Sequence, residues 1–445
     1  MPKNRSPRSG KMTRRTALRL LALGSGGTML AAASPRGVAA QTPAAPAVRG
    51  KVTINFWGHN HPPTIEMYKG AIEAFQKKYP NIQVDYSQKA GPQYAQLVLT
   101  ALASDAAPDI FRVGDWQVGE YIRDGAVQPI DPGPWGARSG RELAERFVEG
   151  VQKKFLIGGG LYATPEDVSQ LLNIINLDYL REATGSEALP ATPEKLVEAA
   201  RKMTIVKDGQ WLRSGFEYYY QHELWQTEEW SHLIHSFGGA IYDKDGKLVM
   251  DQGNAAMRAA EYLYNSVHVW KFSNPAFALT FGQPTPSHFQ EGKSAMNPAG
   301  AWKIAQIEQA GVVKNWQADV WRTGTQEFVL AWAWSLGVNR KSKNPEAASQ
   351  FLAFLHTPEM IEYRQAKSGQ IGGLPGADRT QWVKEHPKVQ PWIRAQARAQ
   401  FQDPYPNYPR VSKTISKMFE AIAILGTKPQ ETLGRACDEL RAIKA

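Results

Sequence analysis

One cysteine, Cys437, stands in a chain of 445 residues, and a lone thiol forms neither an intrachain disulfide nor a cysteine-based metal site. Leu433, Ala436, Cys437 and Leu440 recur at helical spacing, which predicts a buried, unreactive thiol. Long apolar runs are missing too. The stretch from Leu20 to Ala33 is broken by Gly24, Gly26 and Gly27 and closed by Arg36, short of the roughly 20 apolar residues that a membrane span needs. A charge of one sign is missing from most of the chain. Eight of the 52 basic and none of the 42 acidic residues fall in residues 1–40, leaving 44 against 42 in the remainder. That balance excludes nucleic acid or an anionic membrane as a partner held by charge alone.

Signatures of catalysis are equally scarce. No G-x-S-x-G surrounds a serine, and no H-E-x-x-H is present. Gly292-Lys293-Ser294 has Ser287 where a phosphate-binding loop needs glycine, so its backbone amides cannot converge on a phosphate. Gly158-Gly159-Gly160 reads as a turn, and Asp243-Lys244-Asp245-Gly246 as a hairpin that lacks the remaining ligands of a calcium loop. His59-Asn60-His61, directly after the first strand, is the one metal-like pattern; with His222, His232 or His235 it would support a metal-dependent hydrolase. No nucleophile, base and orienting group share a motif, and the expectation is a protein without catalysis, metal or cofactor.

What is present begins with an address. Thr13-Arg14-Arg15-Thr16-Ala17-Leu18-Arg19 ahead of a weakly apolar stretch, with Val38-Ala39-Ala40 before Gln41, resembles a twin-arginine export signal covering residues 1–40. Cleavage is expected near Ala40, and with no cysteine nearby no lipid anchor follows. Residues 41–50, rich in Ala and Pro, read as a disordered leader.

The mature chain alternates strand and helix patterns. Val52, Ile54 and Phe56 keep the period of two of a strand, and Ile65, Tyr68, Ile72, Phe75 and Tyr79 keep that of a helix, closed by Pro80. Ile82, Val84 and Tyr86 alternate again, and Asp109 to Val113 is a third short strand. This order predicts an α/β fold with mostly parallel sheets flanked by helices, whose ligand sits beyond the carboxyl ends of the strands. Thr192-Pro193-Glu194, Asn344-Pro345-Glu346 and Thr357-Pro358-Glu359 each present a cap, a first-turn proline and an acidic residue, the order that opens a helix.

All 14 Trp lie after residue 50. An indole face stacks on the C–H face of a pyranose while its N–H bonds a hydroxyl, so tryptophans beside polar residues on loops after strands are candidates for sugar contact. Trp57 beside His59 and Asn60, Asp115-Trp116, Trp230 and Trp302 fit that description.

These segments together resemble the extracellular solute-binding proteins of ABC importers, in the branch of maltose-binding and other sugar-binding proteins. The resemblance runs from Val52 to Leu440. It is carried by Phe75-Gln76-Lys77-Lys78-Tyr79-Pro80, Ala107-Pro108-Asp109-Ile110-Phe111, Asp115-Trp116, Gly125 to Ile130, Gly238-Gly239, Gly292 to Met296 with Gly300-Ala301-Trp302, and Asn339 to Leu355 with Leu374-Pro375. It implies a two-lobed periplasmic binding protein with a small-molecule ligand in the cleft, acting as a monomer and delivering a carbohydrate to membrane permease subunits. Residues 51–165 with 303–338 would form lobe 1 and residues 166–302 with 339–445 lobe 2. The chain would cross between them near Thr164 to Ser169, Asn297 to Lys303 and Ala333 to Asn339. Carried over by position, Trp57, His59, Asn60, Asp115, Trp116, Ser169, Trp230 and Trp302 are expected ligand contacts, with Glu166, Asp167, Trp332, Trp334, Tyr405 and Tyr408 beside them. Two positions depart from maltose-type members: Ile175-Asn176-Leu177 and Ile415 stand where those place aromatics, which points to a different glycan. Phosphate esters and polyamines are the rival ligands for the same fold.

Overall fold

The structure, a computed structural model, describes Val48 and residues 50–59, 62–89, 94–104, 107–279, 288–403 and 405–443. The proposed export signal, most of the leader, Asn60 and His61 lie outside the described residues, as does the side chain of His59.

The chain opens as β1 (Val52–His59), α1 (Pro62–Lys78), β2 (Ile82–Lys89), α2 (Tyr94–Leu102) and β3 (Ile110–Gly114). There follow α3 (Asp115–Arg123), β4 (Val127–Gln128), α4 (Gly140–Ala144) and α5 (Glu149–Phe155). Gly158 and Gly159 turn the hairpin of β5 (Leu156–Ile157) and β6 (Gly160–Leu161), both at positive φ. Then β7 (Ala163–Gln170) runs into β8 (Leu172–Asn176) through Leu171 alone.

α6 (Leu177–Thr184) and α7 (Pro193–Met203) come next, with the hairpin β9 (Ile205–Lys207) and β10 (Gln210–Arg213). α7 starts where the Thr-Pro-Glu order predicts: Thr192 accepts a hydrogen bond from Lys195 N–H, and its buried face is Leu196, Ala199, Ala200 and Met203. α8 (Glu223–Ser236), α9 (Ala255–Tyr264) and α10 (Pro275–Leu279) precede β11 (Met296–Ala299), α11 (Lys303–Ala310), β12 (Trp316–Val320) and β13 (Leu330–Asn339). The chain ends with α12 (Pro345–Leu355), α13 (Pro358–Ser368), α14 (Gln381–Glu385), α15 (Gln390–Gln396), β14 (Gln400–Phe401), α16 (Tyr408–Ala423) and α17 (Pro429–Arg441). Among the described residues no helix is long and apolar enough to cross a membrane.

Two sheets organise two lobes. In the first, β2, β1 and β3 are parallel, and β13 runs antiparallel between β3 and β7. Its core joins Phe56, Tyr68 and Phe75 to Phe351 and Phe354 of α12. The second sheet is β11-β8-β12 with antiparallel pairs only, unlike the mostly parallel sheet expected. β8 arrives directly from the first sheet, and β11 and β12 both run against it. One face of this lobe packs a helical core of α7, α8, α9, α16 and α17, and Cys437 lies buried in it with Leu433, Ala436 and Leu440. Burial pushes that thiol up to about 11. The other face holds α11, Trp316 and Trp392.

The packing divides the chain differently from the expected boundaries. α11 and β12 belong with the second sheet, while α12 and α13 pack on the first, α13 against α1. The chain passes between lobes at Leu171, between β12 and β13, and between α13 and α14, and it returns briefly to the first sheet at β14, which pairs with β13. Residues 297–303 stay with the second lobe, and β13 lies wholly in the first sheet. The cause is long-range pairing, which local pattern does not encode.

Candidate functional site

β3 passes into α3 with no linker, so Asp115 and Trp116 form the first turn of a helix at the carboxyl end of a parallel strand. Asp115 is buried. One of its oxygens accepts the Ala333 N–H at 2.8 Å and the other lies 3.5 Å from Lys154 Nζ. Burial raises its pKa, and Lys154 and the Ala333 bond oppose the rise. This carboxylate therefore ties α3 to β13 and α5.

On β13, Trp332 pairs in register with Ser169 and Trp334 with Asp167 and Gly114. Being two apart in a strand, the two indoles share a face. Glu166 is not free: the Tyr68 hydroxyl donates to one oxygen, Arg112 Nε to the other at 3.2 Å, and Arg364 to its carbonyl at 2.6 Å. The Arg112 guanidinium in turn lies 4.2 Å from the Trp334 ring centre, a contact that fixes the indole from behind. Asp167 accepts from Ser169 Oγ at 2.9 Å on both oxygens. Burial holds its pKa up at about 6, against the pull of the Ser169 bond and Arg112.

The aromatic residues gather in two joined groups. Trp116 meets Trp334 edge-on at 4.9 Å and Tyr408 at 5.7 Å, and Tyr408 stacks with Tyr405. Trp332 meets Trp302 at 5.5 Å and Trp225 at 5.4 Å; Trp225 also meets Trp302 at 5.5 Å and stacks on Tyr219 at 4.7 Å. Trp332 thus links the first sheet to rings of the second lobe. Trp225, Trp302, Trp334 and Tyr405 keep part of their surface open, while Trp116, Trp332 and Tyr408 are buried. Both Trp116 and Trp302 follow a glycine by two residues. A Cβ at Gly114 would lie 2.4 Å from the Trp116 ring and one at Gly300 1.7 Å from the Trp302 ring. Each indole folds back over bare backbone that only glycine provides.

Trp57 is half-buried beneath Lys89, whose Nζ sits 4.3 Å from the ring centre. Trp230 lies elsewhere: it is fully buried in the helical core, its indole nitrogen without a partner. Trp225, one and a half turns earlier on α8, is the tryptophan of that helix that joins the ring cluster. The sequence carries a signal for it, because Tyr218-Tyr219-Tyr220 precede Trp225 closely, but the aromatic run reads equally well as core. Ile175 and Ile415 are also core residues.

α8 brings four consecutive polar side chains, Gln226 to Glu229, into the interior. Gln226 donates to Tyr220 O at 3.0 Å and accepts from Ser416, Thr227 meets Ser412 Oγ at 2.9 Å, and Glu229 accepts the Tyr219 N–H at 3.1 Å. Glu228 is buried beside Gln402, with which it shares a hydrogen bond. Burial pushes its pKa well up, Asp115 adds to the rise, and Gln402 and Lys154 oppose it. Of the histidines that could have supplied metal ligands, His232 stacks on Trp321 at 4.2 Å and His235 bonds Asp403 at 3.1 Å. Among the described residues no group of three His, Cys, Asp or Glu could hold a metal ion.

The chain is 21% identical over 266 residues to the maltotriose-binding protein of Pyrococcus abyssi, a stretch covering 59% of this chain and 52% of the relative. It is 25% identical over 297 residues to a protein of Sinorhizobium fredii named "Probable amino-acid ABC transporter periplasmic-binding protein", covering 64% and 63%. The chain thus spans between half and two thirds of the length of these relatives. Its fold matches an ABC substrate-binding protein from Listeria monocytogenes, solved with cycloalternan, at a TM-score of 0.77 and 20% identity, over 88% of this chain and 98% of that one. The family model for bacterial extracellular solute-binding proteins matches residues 61–362, and the chain belongs to that family.

Proposed function

We propose that the chain is the periplasmic substrate-binding component of an ABC importer and that it takes a carbohydrate between its lobes without transforming it. The observation that carries this reading is the ring cluster, in which Trp225, Trp302 and Trp334 keep part of their surface open near buried carboxylates. Indole faces match the C–H faces of a pyranose, and carboxylates accept from its hydroxyls. The curated name of one relative, maltotriose-binding, and the cycloalternan bound to one structural neighbour support the same ligand class. Trp57, His59, Asn60, Asp115, Trp116, Ser169, Trp332, Tyr405 and Tyr408 complete the proposed contact region. Residues 1–40 would direct export by the twin-arginine route with cleavage near Ala40, and the mature monomer would hand its ligand to the permease once the lobes close around it.

A thermal-shift screen of residues 41–445 tests this against mono- and oligosaccharides, with amino acids, sugar phosphates, polyamines and zinc alongside. A ligand at 100 times its Kd adds about 2.7 kcal/mol, so a stabilising glycan is plain in the melt. Trp302→Ala should weaken that glycan about tenfold or more, a loss of about 1.4 kcal/mol. Stabilisation by amino acids, phosphates or zinc, with none from any sugar, would sink the carbohydrate reading.

A further inference from the structure

The segment that joins β14 to α16 carries Tyr405 and Tyr408 from the first sheet to the second lobe. Phe401 still pairs with Ala331 of β13, and the carbonyl oxygen of Gln402 lies 3.4 Å from Lys154 Nζ of α5. Asp403, the next residue, is held from the other lobe. One of its oxygens lies 3.1 Å from Nε2 of His235, in the last turn of α8, and the other accepts the Ile241 N–H at 3.1 Å. Beyond it, Tyr405 shares a hydrogen bond with Ser231 of α8 and Tyr408 shares one with Ser412. The Tyr408 ring stands 5.9 Å from Tyr405 and 5.7 Å from Trp116. Asp403 is thus an anchor just ahead of rings that reach the candidate site.

His235 faces an acceptor at each ring nitrogen, the Ser231 carbonyl oxygen 2.8 Å from Nδ1 and the Asp403 carboxylate at Nε2. A neutral imidazole has one N–H and satisfies one of them, whereas the imidazolium satisfies both. The carboxyl end of a helix favours that cation as well. Burial draws the ring's pKa down, but Asp403 and the Ser231 carbonyl outweigh it and leave it above the ordinary histidine value. The His235 and Asp403 side chains are 16% and 14% exposed, open enough for a proton to exchange. The imidazole lies flat on Phe328 at 4.5 Å. Other titratable groups nearby are engaged or neutral. His232, three residues back on α8, has its pKa drawn down to about 3 by burial. Glu327, next to Phe328, pairs with Arg398 and Arg322. Tyr405 stays a phenol, because burial and then Asp403 raise its pKa.

Resting on the carbohydrate reading above, we propose that Asp403 is a positioning residue for ligand binding, whose ion pair with an imidazolium at His235 pins the crossing segment to α8 and sets Tyr405 and Tyr408 in place beside Trp116. Both members of the pair act through the tyrosines and not by contact with the sugar. When His235 loses its proton, either the Ser231 carbonyl or Asp403 faces a lone pair in place of an N–H, and the anchor weakens. Affinity therefore falls as pH rises through the titration of His235.

Calorimetric titration of wild type, Asp403→Asn and His235→Gln with maltotriose, cellotriose and xylotriose, from about pH 6 to about pH 9, tests this. Hydrogen exchange of the amides of residues 402–412 is followed in the same proteins without sugar. For whichever trisaccharide it binds, the wild type should lose affinity about threefold to tenfold over that range. Both variants should bind more weakly at the acid end and show no pH slope, and their amides should exchange faster than those of wild type at the same pH. A substitution that only loosened the fold would lower affinity and leave the slope in place. A wild-type affinity that is flat with pH, or a slope that survives in Asp403→Asn, overturns the inference and leaves the carbohydrate reading standing. If none of the three sugars binds, exchange decides the anchor by itself: faster exchange in both variants upholds it and wild-type rates overturn it, while the carbohydrate reading is judged by the wider thermal-shift screen.

Discussion

At the level of single residues, the side chains of the candidate site are held by buried neighbours. Asp167 shows the electrostatic side of this. Its pKa of about 6 in the folded protein lies above the ordinary carboxylate value near 3.9, so protons bind the folded state more tightly than the unfolded one. Its contribution to stability therefore falls as pH rises from about 4 to about 6, and the loss persists above that. Asp167→Asn should remove the fall and gain about 3 kcal/mol over wild type at neutral pH, read from melting curves across that range. A larger fall in the variant would contradict the assignment. Gly114 shows the steric side. Gly114→Ala forces a Cβ into the Trp116 ring, and overpacking of this kind costs about 1–3 kcal/mol. Ligand affinity should drop with it, because the indole must leave its place against Trp334 and Tyr408. An alanine variant with unchanged affinity would show that the ring has no part in binding.

At the level of elements, Asp115 joins three of them: it begins α3, accepts from β13 and faces Lys154 of α5. Asp115→Ala leaves Ala333 N–H and Lys154 without their acceptor and should cost about 1–3 kcal/mol in urea unfolding. Asp115→Asn retains one acceptor oxygen and should recover much of that loss; equal losses would mean that the charge, not the Ala333 bond, matters. Elements such as α7 and α13 were legible because their signals are local. Thr192 and Thr357 each cap the helix that they precede, and Gly369 ends α13 in the left-handed region. Asn344 precedes α12 without a side-chain cap bond, so its Pro-Glu sequence suffices there. The second sheet was not legible, because β8, β11 and β12 pair across more than a hundred residues. Nor was Glu228 legible. Its type suggests solvent, and only the packing of α8 against α16 shows it buried. Trp116, Trp302, Trp332 and Trp334 were readable as a set, whereas choosing Trp225 over Trp230 needs the helix phase relative to Trp302.

At the level of the whole molecule, Trp332 on the first sheet touches Trp225 and Trp302 of the second lobe. A ligand that binds the closed arrangement better shifts the lobes toward it by its extra affinity for that form. Small-angle scattering should therefore record a more compact particle with a saturating glycan than without, and tryptophan fluorescence should change in step. An unchanged profile at saturation would rule out closure as the signal to a permease. The two-lobed α/β fold was foreseen through family resemblance. The allocation of residues between lobes was not, since α12 and β12 reach their partners only through repeated passes of the chain.

β13 pairs with β3, β4, β7 and β14, yet it is made of residues 330–339. During synthesis the facing edges of β3 and β7 must wait for it, open to strands of other chains, and the longer an edge waits the greater the hazard of pairing wrongly. The amino-terminal lobe is thus first to be translated and late to be finished. A chain shortened before residue 330 would carry the hydrophobic residues of that lobe without the strand that closes it.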